Sequence, residues 1–313
     1  MYEFTHFFEL INALLGGKIV LLCMNRFKDY FTLHLLVFIW GFTAILGVLI
    51  SLPAPVMVVY RTGLAAVGLA VLMFLQGQNV LTPRFWPLLL TGALVSLHWM
   101  LFFGSARVSN VSISLAGLST QALFTSFLEP IFNKKRINLL EVALGLVVML
   151  GLYLIFKFEF QYSLGLWMSI GCSFVAAIFS VLNGKFANQY EAEHVAFYEM
   201  VGATLASLLY LPLFIWAFGS ENFTYIPQPL DWLWLLILAI VCTVYPFTAS
   251  VKLMKKISVF LLNLTLNLEP VYGIILAFLI FGKKEQMTPG FYAGGLIILA
   301  AVVAYPILKK KDL

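Results

Sequence analysis

Residues 257–281 read ISVFLLNLTLNLEPVYGIILAFLIF, twenty-five residues with one charged side chain, Glu269. As a helix this run is about 37 Å long, enough to cross a hydrocarbon core of about 30 Å. Its apolar residues are continuous rather than alternating, so it does not read as a barrel strand. Pro270 stands inside it and cannot donate to the carbonyl of Leu266. Such a break is tolerated in a membrane where a cavity or a neighbour satisfies the freed acceptor. Either a substrate-facing helix or a kinked, well-packed one fits this pattern.

Nine further runs of this kind occur, at 33–52, 55–75, 86–104, 111–132, 139–156, 163–184, 194–217, 230–251 and 289–308. Short connections separate them and carry turn residues, such as Pro53 and Pro55, Thr82-Pro83 and Gly282 to Pro289. The composition agrees. Of 313 residues, 62% are hydrophobic and 11% are charged. A soluble globule must cover itself with more polar surface than that. The fold class expected is an all-α integral membrane protein of about ten spans.

The net charge of +5 does not point to nucleic acid, because the basic residues lie between apolar runs. If the N-terminus lies in the cytoplasm, ten spans place 14 Lys and Arg inside and 4 outside (Arg107, Lys157, Lys283 and Lys284), while Arg61 lies within a span. That asymmetry predicts both termini in the cytoplasm of a cell with the chain in its plasma or inner membrane. Residues 1–32 are set apart as an N-terminal extension. They read as an interfacial helix, an extra span or an over-long start with Met24 as the true one. Residues 309–313 form a basic tail.

The two halves of the chain resemble each other. Tyr60-Arg61 with Gly63 matches Tyr198-Glu199 with Gly202, and Ile131-Phe132-Asn133-Lys134-Lys135 matches Ile280-Phe281-Gly282-Lys283-Lys284. Ala143-Leu144-Gly145-Leu146 matches Ala293-Gly294-Gly295-Leu296. These matches keep their order at offsets of 138 to 150 residues, which suggests a duplicated five-span unit. Five is odd, so the second copy enters the membrane inverted, the arrangement of many secondary transporters.

On these residues the chain resembles the drug/metabolite transporter superfamily, in the form built from two EamA-like domains. Trp40-Gly41-Phe42 is similar to a Trp-Gly of the family's first helix. Arg61 stands where an arginine is common, and Leu268-Glu269-Pro270-Val271 is similar to a proline-containing stretch. Tyr292, Gly294 and Gly295 are similar to its Gly-containing tail. The resemblance implies five-helix repeats over 33–157 and 162–308. It also implies export or exchange of a small metabolite or drug-like solute. Two departures stand out. Lys283 replaces the family's acid after the ninth span, with Glu285 two residues on, and Ser119-Thr120 stands where the second half has Glu-Pro.

Charges within a bilayer usually face protein or water, so Arg61, Glu199 and Glu269 are candidates for substrate binding or ion coupling. Asn263, Asn267, Gln121, His98, Trp40 and Tyr245 are further candidates, with Pro270 and Pro246 as hinges. Gly290 and Gly294 form a GxxxG pair that suits close helix packing or a homodimer seam. No nucleotide-binding loop is present, so gradients supply the energy and no cofactor is expected. A lipid-modifying membrane enzyme is the alternative, but the four histidines fall in separate segments, without HExxH or GxSxG. A channel or structural subunit is the third class.

Overall fold

The computed structural model describes residues 17–218 and 224–309. Within them the chain forms ten helical spans and no strand. They are α1 Gly17–Leu49, α2 Ala54–Leu75, α3 Trp86–Val108, α4 in two pieces (α4a Val111–Leu118 and α4b Gln121–Asn133) and α5 Leu139–Phe158. The second set is α6 Ser163–Phe186, α7 Ala192–Phe218, α8 from Pro229 to Met254, α9 in two pieces (α9a Val259–Leu266 and α9b Glu269–Phe281) and α10 Pro289–Lys309. Eight of these are long and apolar enough to cross a membrane, while α5 and α10 supply shorter apolar runs. Their outer faces expose Leu209, Trp216, Leu279 and Leu296, a surface suited to lipid rather than water.

Helix α1 begins earlier than the apolar run alone implies, at Gly17 rather than near residue 33. The polar residues between them are not helix breakers, so hydropathy marks the span and not the helix end. The proposed extension 1–32 thus splits: residues 17–32 are helical, and residues 1–16 lie outside those described.

The two five-helix sets pack counterpart against counterpart: α2 lies on α7, and α5 on α10. Two repeats of inverted topology pack in this way. The details of α4 and α9 repeat at an offset of 148. Asn110 caps α4a by accepting from Ile113 N at 2.8 Å, and Ser258 caps α9a by accepting from Leu261 N at 3.2 Å. Both helices break after eight residues, at Ser119-Thr120 and Asn267-Leu268. Both end on a residue with positive φ, Lys134 and Gly282. Ser119-Thr120 therefore corresponds to Asn267-Leu268, and Gln121, not Ser119, is the counterpart of Glu269.

Small residues set the closest crossings. Gly41 of α1 meets the backbone of α9b, where an added Cβ would lie 3.1 Å from Glu269 O. Gly294 faces the carbonyl of Gly151, and Gly290 faces Phe158. The GxxxG pair thus packs inside the chain against α5, the close helix packing that its spacing suits.

Candidate functional site

Helix α8 is not a plain α-helix. Its middle, Ile237–Val244, is wound as a π-helix, and Tyr245 N–H donates to Ile240 O, five residues back. Pro246 has no N–H to offer Cys242 O, four residues back. Arg61 of α2 reaches both irregularities. Its Nε donates to Thr243 Oγ1 at 2.8 Å, and its Nη2 donates to Cys242 O at 3.4 Å. The guanidinium lies over the Trp99 ring, 3.7 Å from its centre. Nη1 is buried without a partner. Segments wound this way recur at functional sites because they free backbone and side-chain groups from the helix's own ladder.

Arg61 lines a narrow cavity of about 70 Å³ between the two helix sets. Its walls take residues from α1, α2, α3 and α4 of the first set and from α6, α8 and α9 of the second. Glu269, the first residue of α9b, lines it too, and its carboxylate has no hydrogen-bond partner among the described residues. The aromatic part of the wall is continuous. Phe247 meets Trp40 and Trp99 edge-on at 6.3 and 5.4 Å, and Phe179 meets His98 edge-on at 5.3 Å. His98 Nδ1 lies 3.1 Å from Cys172 O, which fixes the ring on α6.

The polar part is a relay across three helices. Gln121 Nε2 donates to Asn263 Oδ1 at 3.0 Å and to Ser180 Oγ at 3.3 Å. Asn263 Nδ2 donates in turn to Thr125 Oγ1 at 2.8 Å. The breaks in α4 and α9 bring Gln121 and Glu269 to the wall at equivalent positions. The result is an enclosed space with a cation, an acid, carboxamides and flat rings. No group of three or more His, Cys, Asp or Glu sits together among the described residues.

Comparison with known families decides the assignment. Residues 28–157 and 163–305 each match the EamA-like transporter family. The chain belongs to that family. A transporter of Synechocystis sp., named as uncharacterized, is 24% identical over 263 residues, spanning 79% of this chain and 74% of its own length. A solved crystal structure, 16% identical, superposes with a TM-score of 0.67 over 90% of this chain and 98% of its own, a likeness of fold alone.

As an EamA-like transporter, the chain brings together Arg61, Glu269, Gln121, His98 and Trp40 around one cavity. Asn263 stands behind the wall, holding Gln121. Glu199 is buried behind Asn183, which lines the cavity and donates to Glu199 Oε2 at 3.2 Å. Arg61 and Glu199, matched by the internal repeat, form no ion pair among the described residues. Asn267 lies instead on a second, apolar pocket of about 310 Å³ lined mainly by α9 and α10. Tyr245 turns 44% of its surface outward, away from the cavity. Pro270 follows the α9 break as the second residue of α9b, while Pro246 frees the carbonyl that Arg61 takes. Sequence reasoning missed Asn183, Phe179 and Phe247 as wall residues. Nothing in a run of apolar helix marks which aromatic ring faces inward.

The departure at Lys283 also has a structural account. Glu285 is buried, and its carboxylate accepts from Val111 N at 3.1 Å, Ser112 N at 3.1 Å and Ser112 Oγ at 2.8 Å. It closes the N-terminus of α4a, where exposed donors and the helix dipole favour an anion. At the far end of α4, Glu129 accepts from Phe260 N at 2.9 Å and so serves the N-terminus of α9a. Each broken helix is thus capped by an acid borne on the other or just beyond it.

Proposed function

We propose that this chain is a secondary-active transporter that moves a small solute by alternating access, as an exporter or exchanger in the cell's plasma or inner membrane. The observation that carries this reading is the cavity shared by both helix sets, lined by Arg61 and Glu269 and walled by rings. Two similar inverted units have two near-equivalent packings, and a site between them can open to either side. Arg61 offers a cation and Glu269 an acid, so a solute with a polar or charged head and a flat apolar body fits the lining. Both termini lie in the cytoplasm on this reading, as the distribution of Lys and Arg supports.

Purified protein in liposomes tests it, with tryptophan, adenine, glucose and tetraethylammonium as labelled solutes. The expected result is saturable uptake of at least one, reduced by Glu269→Gln. No flux above protein-free liposomes for any of the four would overturn the proposal, and non-saturating conductance would favour a channel instead.

A further inference from the structure

Glu199 of α7 and Asn183 of α6 are both buried. One hydrogen bond joins them, from Asn183 Nδ2 to Glu199 Oε2 at 3.2 Å. The other two oxygens, Asn183 Oδ1 and Glu199 Oε1, are buried with no partner. An ionised carboxylate only accepts, and a carboxamide oxygen only accepts, so these two atoms cannot serve each other as they stand. A proton on Glu199 Oε1 changes that. The hydroxyl so formed can donate to Asn183 Oδ1 and close the carboxyl and carboxamide into a ring of two hydrogen bonds. A single proton then satisfies both orphaned atoms, whose burial otherwise costs free energy.

No charge in the vicinity does this in the proton's place. Helices α2, α3 and the last part of α8 pack against α7, and α6 reaches it through Asn183. The basic groups on these elements are engaged elsewhere. Arg61 is bonded to Thr243 and Cys242, and its remaining nitrogen, Nη1, has no partner and so does not serve Glu199 Oε1; His98 lies against Cys172, and Lys185 donates to Phe132 O. Lys252 pairs with Glu193 at 2.5 Å, and Lys255 pairs with Glu191 at 3.8 Å. Arg107 donates to Gly47 O and Ile50 O, and Lys256 pairs with Asp29. Among the described residues none forms an ion pair with Glu199. The acids and thiols on the same elements, Cys172, Cys242 and Asp231, bring no compensating cation. Helix α7 is also locked at this point, since Gly92 of α3 lies against Glu199 O.

We propose that Glu199 and Asn183 form a proton-binding site that couples proton movement to solute movement through the cavity. This rests on the transporter reading. Asn183 is the link, because it lines the cavity one turn from Ser180 on α6. With the proton bound, the carboxamide is held toward Glu199. With it gone, both oxygens are again buried without a donor, so the carboxamide is free to turn, which alters the wall that the solute meets. Proton and solute binding are then linked, each changing the other's affinity by the same factor. The proton is taken up at Glu199 Oε1 from one aqueous face and released from the same oxygen to the other. Only that O–H bond forms and breaks.

Infrared spectroscopy of the full-length protein tests the site without any solute. The expected result at neutral pH is a deuterium-sensitive band of a protonated carboxyl that vanishes in Glu199→Gln, persists in Glu269→Gln and shifts in Asn183→Ala. A carboxyl spectrum unchanged by Glu199→Gln overturns the proposal. Glutamine keeps the shape and can pair with Asn183, so the variant should fold, and its melting temperature checks this. The same four solutes in proteoliposomes test coupling. An imposed pH gradient should drive several-fold accumulation by wild type, while Glu199→Gln should only equilibrate the solute. If wild type transports but the gradient drives no accumulation, coupling is overturned and the transporter stands. If no solute moves, the transporter reading fails, and the infrared band decides the proton site.

Discussion

The Arg61 guanidinium stands 3.7 Å from the centre of the Trp99 ring and donates to Thr243 of the π-wound segment of α8. The contact joins a helix of the first repeat to one of the second, at the wall of the cavity that both repeats enclose. A planar, delocalised cation meets these demands together, and an ammonium cannot.

Arg61→Lys is therefore not conservative. It loses the stacked contact, worth about 2 kcal/mol when desolvated, and a charged hydrogen bond of about 1.5–3 kcal/mol. It also leaves Cys242 O, which Pro246 cannot serve, without its donor. The expected outcome is a lower melting temperature in detergent and about tenfold weaker uptake. Unchanged melting and uptake would remove the guanidinium from any central role.

Gln121 should be equally intolerant of a small chemical change. Its Nε2 donates to Asn263 Oδ1 and Ser180 Oγ, and Asn263 is fully buried. Gln121→Glu turns that donor into an acceptor facing Asn263 Oδ1. Leaving buried polar atoms unserved costs about 1–3 kcal/mol. Thermal melting should fall by more for Gln121→Glu than for Gln121→Met, which deletes the polar atoms on one side only. The opposite order would mean that the relay has another hydrogen-bond arrangement.

Much of this was legible in the chain, because a bilayer imposes a simple rule on sequence. Continuous apolar runs gave ten spans, and ionisable or amide residues within them pointed inward, so Arg61, Glu269, Gln121 and His98 converge on one cavity. The break in α4 was not legible. Ser119-Thr120 carries no proline, and the turn is closed locally, with Ser119 N donating to Ala116 O at 3.2 Å and Thr120 Oγ1 to Gly117 O at 2.9 Å. Only the matching caps and breaks of α4 and α9 fix the repeat offset there. Asn183 and Phe247 were missed for another reason. Which face of an apolar helix turns inward depends on neighbours distant in sequence, and the hydropathy of the run does not record it.

Where helices touch backbone to backbone, a single methyl group decides stability. A Cβ at Gly202 of α7 would lie 2.1 Å from Leu89 O of α3, and the atom in its way is backbone. At Gly295 of α10 nothing stands within 4 Å. Overpacking a tight contact costs about 1–3 kcal/mol. Gly202→Ala should lower the yield of folded protein and its melting temperature, and Gly295→Ala should leave both near wild type. Equal behaviour of the two variants would show that α3 and α7 do not meet as closely as they do here.

Glu285 offers the sharpest test of how the two repeats are pinned together. Its two carboxylate oxygens accept from Val111 N, Ser112 N and Ser112 Oγ, so both are in use at the start of α4a. Glu285→Gln keeps one acceptor and puts an amide donor where the other stood, facing backbone N–H groups. It also removes the anion that the helix dipole favours. The expected loss is about 1–3 kcal/mol, the range for leaving a buried donor unserved, read as a fall in melting temperature. Restoring an acid at the family's usual position with Lys283→Glu in the same chain should not rescue it, because residue 283 is not the one that reaches the α4a amides. Full rescue by Lys283→Glu would show that the position of the acid, two residues later in this chain, carries no structural weight.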